Sequence, residues 1–103
     1  MKLSIVIPVF NSSKIIIKLI KSIKKNIKKK SRFEIILIND YSEDSSWKTI
    51  KSLAKKYKFV KGINLNENYG QHYAIFAGLK FAKGKNIICM DDDMQHDPAY
   101  INK

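Results

Sequence analysis

The sequence predicts an α/β fold, an open sheet of parallel strands with helices on both faces. Short β-branched runs alternate along the chain with stretches whose apolar residues recur every three or four positions. The order reads strand, helix, strand, helix, strand, helix, strand, and such alternation implies parallel strands joined by right-handed crossovers. A third observation concerns function: the unusual polar residues gather where the strands end.

The first strand is LSIVIPV, 3–9, stopped by Pro8 and the turn-forming Asn11-Ser12-Ser13. Ile16, Ile20, Ile23 and Ile27 then recur at helical spacing with lysines between them, so an amphipathic helix opened by a serine cap is expected. FEIILIN, 33–39, is apolar almost throughout, as a strand covered on both faces should be. A second helix is expected over about 45–57, with Trp47, Ile50, Leu53 and Ala54 on one side. FVKGINL, 59–65, reads as the third strand. NENYGQ is a loop, and HYAIFAGLKFA a helix closed by Gly84. NIICMD, 86–91, is the fourth strand, within which Cys89 is expected as a small core residue.

A chain of 103 residues with 45% apolar content suits one folded domain, and no internal repeat or linker divides it. One cysteine excludes a disulfide framework and a cysteine-based zinc site, which fits a reducing, cytoplasmic compartment. The apolar start MKLSIVIPVF is too short for a signal peptide, and no run of about 18 apolar residues spans a membrane. The formal charge of +11 is almost entirely lysine, with Arg32 the one arginine. Arginine is the preferred reader of phosphates and base edges, so nucleic acid is not the expected partner. Attraction to anionic substrates or to a lipid surface, at the inner face of the membrane, stays open. Asp97-Pro98 is a helix start, yet the chain ends little more than one turn later, so a piece of a longer protein is expected.

In open parallel sheets ligands bind beyond the carboxyl ends of the strands. Pro8, Phe10, Asn11 and Ser12 follow the first strand and Asn39, Asp40 and Ser42 the second; Asn68 and Gly70 follow the third, and Asp91, Asp92 and Asp93 the fourth. An aspartate run can be a solvated loop. Placed at the end of an apolar strand, Asp91 and Asp93 stand two apart, so both can face one hard cation such as Mg²⁺ or Mn²⁺ with Asp92 pointing elsewhere. A metal there would bridge phosphate oxygens and stabilise charge on a diphosphate leaving group. Asp40 can accept from a nucleobase N–H or a ribose hydroxyl, or cap the turn that follows. Gly70 is either a turn glycine or a close approach to phosphate. His72 and His96 lack partners at metal-ligand spacing and read as structural or surface residues. Neither a glycine-rich turn after the first strand nor a phosphate-binding P-loop is present, which excludes dinucleotide-binding and P-loop readings.

IPVFNSS, LINDYSED, NENYGQHYAIFAGLKFAKG and MDDDMQ, in that order, resemble the nucleotide-sugar half of family 2 glycosyltransferases, the inverting GT-A fold. NYGQHYAIFAGL and DDDMQ are most similar to the branch that works on polyisoprenyl phosphate or builds O-antigen-type glycans. The resemblance implies a Rossmann-like sheet of order 3-2-1-4, with residues 1–103 forming the donor-binding portion and the acceptor half absent. It implies that Pro8, Phe10 and Ser12 line the base and ribose pocket and that Ile38 and Asp40 close on the base. It places Asp91, Asp92 and Asp93 at the D-x-D motif that meets ribose, diphosphate and metal, with Gln95 beside it. Two departures stand out: Phe10-Asn11-Ser12 where Tyr-Asn-Glu is frequent, and Asp40-Tyr41-Ser42 where Asp-Gly-Ser is frequent.

The expected function is metal-dependent sugar transfer from a UDP-, GDP- or dTDP-sugar to a lipid-phosphate or glycan acceptor. No residue is assigned as the base that deprotonates the acceptor, so this length of chain is expected to bind donor but turn over little. The rival from another class is a non-catalytic α/β module that applies its basic helix to an anionic lipid or partner. A receiver-type phosphotransfer module needs an acidic pair after the first strand, where Pro8-Val9-Phe10 stand instead. An exposed sheet edge at the fourth strand is expected to favour self-association.

Overall fold

The computed structural model describes residues 3–27, 32–41, 45–65, 67 and 70–90. Their elements follow as β1 (Leu3–Val9), α1 (Ser13–Asn26), β2 (Phe33–Asn39), α2 (Ser46–Lys56), β3 (Val60–Asn64), α3 (Gln71–Phe81) and β4 (Asn86–Cys89). The strands form one parallel sheet of order β3-β2-β1-β4. The chain therefore steps outward from β1 through β2 to β3, then returns across the sheet to place β4 on the other side of β1.

Alternation along each strand divides the core into two layers. Ile5, Ile7 and Val9 of β1, with Ile35 and Leu37 of β2, pack against Ile16, Leu19, Ile20 and Ile23 of α1 and Ile50 and Leu53 of α2. The opposite face sets Val6, Ile36 and Ile38 against Ala74 of α3. Covered on both sides, β2 is buried from Glu34 to Asn39, as its unbroken apolar run predicts. At the amino end of the sheet Phe33 and Phe59 stack with centroids 4.7 Å apart. Tyr57 adjoins them, under the ammonium groups of Lys24 and Lys56.

Helix α3 lies unusually close to the sheet. A β-carbon on Gly78 would fall 2.6 Å from Val6 Cγ1 and 2.7 Å from Ile38 Cδ1, so only glycine permits this approach. Tyr73, Phe76, Leu79 and Phe81 remain exposed on its outer side.

Four expectations need correction. Helix α3 ends at Phe81 with Ala82 extended, not at Gly84. Gly84 is required for space instead, since a β-carbon there would meet the Ser4 nitrogen at 2.6 Å. Strand β4 stops at Cys89, although the Met90 amide still donates to the Val6 carbonyl at 3.0 Å. Cys89 is exposed rather than a core residue. The reason is topological: Cys89 pairs with Val6 on the α3 face, and α3 packs over β1 and β2 while β4 forms the edge. Finally, Ser12 precedes α1 but its side chain makes no capping bond.

The one acidic residue of β2, Glu34, is 1% exposed and sits on the α3 face. Its carboxylate accepts from the Lys61 ammonium at 2.7 Å, the Ser4 hydroxyl at 2.6 Å and the Lys83 amide at 2.7 Å. The Gly84 amide in turn donates to Ser4 Oγ at 2.7 Å. Burial pushes the carboxyl up, but the bonds from Lys61, Ser4 and the Lys83 amide outweigh it, and the group is held below its ordinary value.

A carboxyl held lower in the folded chain than in the unfolded one stabilises the fold above the unfolded value. That contribution is lost as pH falls through the folded value, below the ordinary carboxylate range. Glu34→Gln is expected to cost about 1–3 kcal/mol at neutral pH, because three donors lose a charged acceptor. In thermal melts across pH the variant should also show a shallower acid decline than the parent; parallel curves would remove Glu34 as the source.

Candidate functional site

The site is built from two strand ends brought side by side. Val9 and Asn39 are register partners, and the Asp40 amide extends the ladder by donating to the Val9 carbonyl at 2.9 Å. Both strands then leave the sheet through left-handed residues, Asn11 at φ 52° and Tyr41 at φ 54°. Asparagine enters that region readily, whereas tyrosine does so rarely.

The segment after β1 is tied to α2. The Ser12 amide donates to the Ser46 hydroxyl at 2.9 Å, and the Ser12 hydroxyl donates back to the Phe10 carbonyl at 2.8 Å. Ser46 is fully buried, so this bond fixes the starts of α1 and α2 relative to each other. After β2, the Asn39 side-chain amide donates to Asn64 Oδ1 at 2.8 Å, and the Leu65 amide donates to the Asn39 carbonyl. The ends of β1, β2 and β3 thus form one braced edge.

The sequence-predicted residues distribute as follows. Pro8 is buried in β1, and by strand alternation its nitrogen faces the β4 side. The β1–β4 register pairs end at Val6, so the missing N–H interrupts none of them. Phe10 is 45% exposed, Ser12 is buried, and Asp40 is 5% exposed at the point where the strands diverge. Ile38 is fully buried beneath α3. Asp91, Asp92, Asp93 and Gln95 lie outside the described residues, as do Ser42, Asn68 and His96. Met90, held to Val6, is the last described residue before the aspartates.

Gly70 takes φ 92° and precedes α3, where its carbonyl accepts from the Ala74 amide. Among the described residues no atom beyond its chain neighbours lies within 4 Å of where its β-carbon would be, so its conformation calls for glycine. His72 is exposed. Although Cys89 is exposed, partial desolvation of its thiol pushes it up, away from the reactive thiolate form. Among the described residues no three His, Cys, Asp or Glu side chains cluster as metal ligands. The bracing roles of Asn64 and Ser46 were missed by sequence reasoning, whereas Asn11, expected in the turn after β1, takes the positive φ its type tolerates.

The model of the family described as "Glycosyl transferase family 2" matches residues 4–103. The chain belongs to that family. Relatives of this family 2 chain include the undecaprenyl-phosphate 4-deoxy-4-formamido-L-arabinose transferase of Proteus mirabilis, 39% identical over 97% of this chain and 31% of that protein. The putative glycosyltransferase CsbB of Bacillus subtilis is 38% identical over 98% of this chain and 31% of its own length. The chain spans about a third of the length of such relatives. Among solved structures, S. aureus TarS 1-349 in complex with UDP superposes with a TM-score of 0.80 at 30% identity, covering 90% of this chain and 28% of that one. The mannosyltransferase PcManGT of Pyrobaculum calidifontis, in complex with GDP-Man and Mn²⁺, gives a TM-score of 0.81 at 17% identity over 89% of this chain and 27% of that one. That likeness speaks to fold alone. The parallel sheet of order 3-2-1-4 is the GT-A arrangement.

Proposed function

We propose that residues 1–103 are the donor-binding portion of a metal-dependent, inverting glycosyltransferase. The whole protein would move sugar from a UDP-, GDP- or dTDP-sugar to a polyisoprenyl-phosphate or glycan acceptor. The observation that carries this reading is the meeting of β1 and β2 at Asp40, with Phe10 exposed beside it, on the edge where parallel sheets bind ligands. TarS is described with UDP and with UDP-GlcNAc, and curated relatives are described as undecaprenyl-phosphate transferases, which supports donor and acceptor classes alike.

In this reading Phe10 offers an apolar face to the base, Pro8 and Ile38 form its floor, and Ser12 orders the loop around the ribose. Asp40 accepts an N–H from the base. Asp91 and Asp93 would hold Mg²⁺ or Mn²⁺, since carboxylates two residues apart suit a hard cation, with Asp92 and Gln95 toward ribose and diphosphate. The metal, when bound, offsets charge developing on the diphosphate. No residue of this chain is assigned as the acceptor's base.

Titrating UDP and GDP into the chain with and without Mn²⁺ tests the donor site. Metal-dependent binding, lost at least tenfold in Asp93→Ala, is expected; binding indifferent to both metal and Asp93 would sink the reading.

Docking at the inner face of a membrane has its own support. Helices α1 and α2 pack side by side and expose Lys18, Lys21, Lys24, Lys25, Lys48, Lys51, Lys55 and Lys56, and neither helix contains an acidic residue. Among the described residues no helix is long and apolar enough to cross a membrane. Co-sedimentation with phosphatidylglycerol vesicles is expected to fall steeply with salt and with Lys18→Glu/Lys21→Glu/Lys51→Glu, and to ignore Asp93→Ala. Salt-sensitive vesicle binding by a chain that fails the nucleotide titration would favour the non-catalytic module.

Among the described residues β4 is an outer strand of the sheet, and with Ile87 and Cys89 exposed it supports self-association as a further interaction. Light scattering should show mass rising with concentration; a constant monomer mass would exclude the edge as an interface.

A further inference from the structure

We infer that Tyr41 strengthens nucleobase binding in this chain, its ring forming a second aromatic wall of the donor site beside Phe10. The inference rests on the donor-site reading and adds to it a residue that the family pattern does not supply. Where Asp-Gly-Ser is frequent, this chain reads Asp40-Tyr41-Ser42.

The backbone at Tyr41 has φ 54°. Glycine adopts that conformation freely, while a side chain with a β-carbon pays on the order of 1 kcal/mol for it. Buried packing does not offset this cost, because Tyr41 is 55% exposed. A bulky residue kept at a left-handed position, with more than half its surface in solvent, is placed for something outside the fold.

Its location says what that is. The Asp40 amide bonds to the Val9 carbonyl, so Phe10 and Tyr41 are the residues that follow the last linked pair on two adjacent strands. Phe10 is itself 45% exposed, whereas Asp40 between them is 5% exposed. Two exposed aromatic residues at adjacent strand ends, next to a recessed carboxylate, suit a planar heterocycle with a ring N–H: the rings would take its faces and the carboxylate its edge. Uracil, thymine and guanine carry such a ring N–H at neutral pH; adenine and cytosine do not. The pocket is thereby selective for the first three, and Tyr41 strengthens the hold on the base without touching the diphosphate.

Calorimetric titration of the parent chain, Tyr41→Gly and Tyr41→Phe, each with Mn²⁺, separates the possibilities, using UDP and GDP as ligands and inorganic pyrophosphate as a base-free probe. Tyr41→Gly should weaken UDP and GDP about tenfold, within what one base–aromatic stack contributes, and leave pyrophosphate unchanged. Tyr41→Phe should stay within about twofold of the parent, as stacking needs the ring and not the hydroxyl. The melting temperature of Tyr41→Gly should equal or exceed that of the parent, since glycine suits φ 54°. Unchanged nucleotide affinity in Tyr41→Gly overturns the assignment, as does an equal loss for pyrophosphate or a lowered melting temperature, either of which marks a structural role. A parent chain that binds neither nucleotide fails at the earlier step and overturns the donor site itself.

Discussion

One buried carboxylate holds the sheet in register. Glu34 lies on the central strand β2, and through its hydrogen bonds it reaches Ser4 on β1, Lys61 on β3 and the Lys83 amide in the connection to β4. A charge so enclosed would be costly alone, and the three donors make it tolerable. The Ser4 hydroxyl passes the link on by accepting from the Gly84 amide. Gly84 can come that close only because it lacks a β-carbon. This chain of contacts brings the start of β4 against β1, and from there parallel pairing carries β4 to Met90, the threshold of the aspartates.

The same layout explains how an apolar sheet comes to present a polar edge. Within β1 and β2 nearly every side chain is buried on one face or the other, and apart from Ser4 and Glu34, which bond to each other, their polar groups fall where the strands finish. There the chain is braced by short bonds, Ser12 to Ser46 and Asn39 to Asn64. Among the described residues the floor of this edge is thereby fixed, which suits a site that must position a ligand.

Much of this was legible in the residues. The periodicities of Ile16 to Ile27 and of Trp47 to Ala54 located α1, α2 and their buried sides, and the uninterrupted FEIILIN marked the strand covered twice. The sheet order followed from the family resemblance rather than from pattern. What stayed hidden depended on distance in space. Glu34 in an apolar strand is a single letter until Lys61 and Lys83 are seen beside it. Gly84 looked like a helix stop because glycine often is one, yet a close approach and a helix cap leave the same mark in sequence. Cys89 sits in an apolar run, and only the position of β4 at the sheet edge exposes it. At the site, the residue types at strand ends were readable, but the positive φ of Tyr41 was not, since nothing about tyrosine suggests it.

The position of β1 has a consequence for how the chain assembles. It is made before its neighbour β4, and the contact from Ser4 to Gly84 spans 80 residues. Pairings so remote in sequence close slowly because the intervening chain must be ordered first. Until β4 arrives, β1 and β2 can pair and collect α1 and α2 beneath them, but one flank of the buried strand β1 stays open. The nascent chain passes through a stage with a naked hydrophobic margin, the kind of intermediate that chaperones shield.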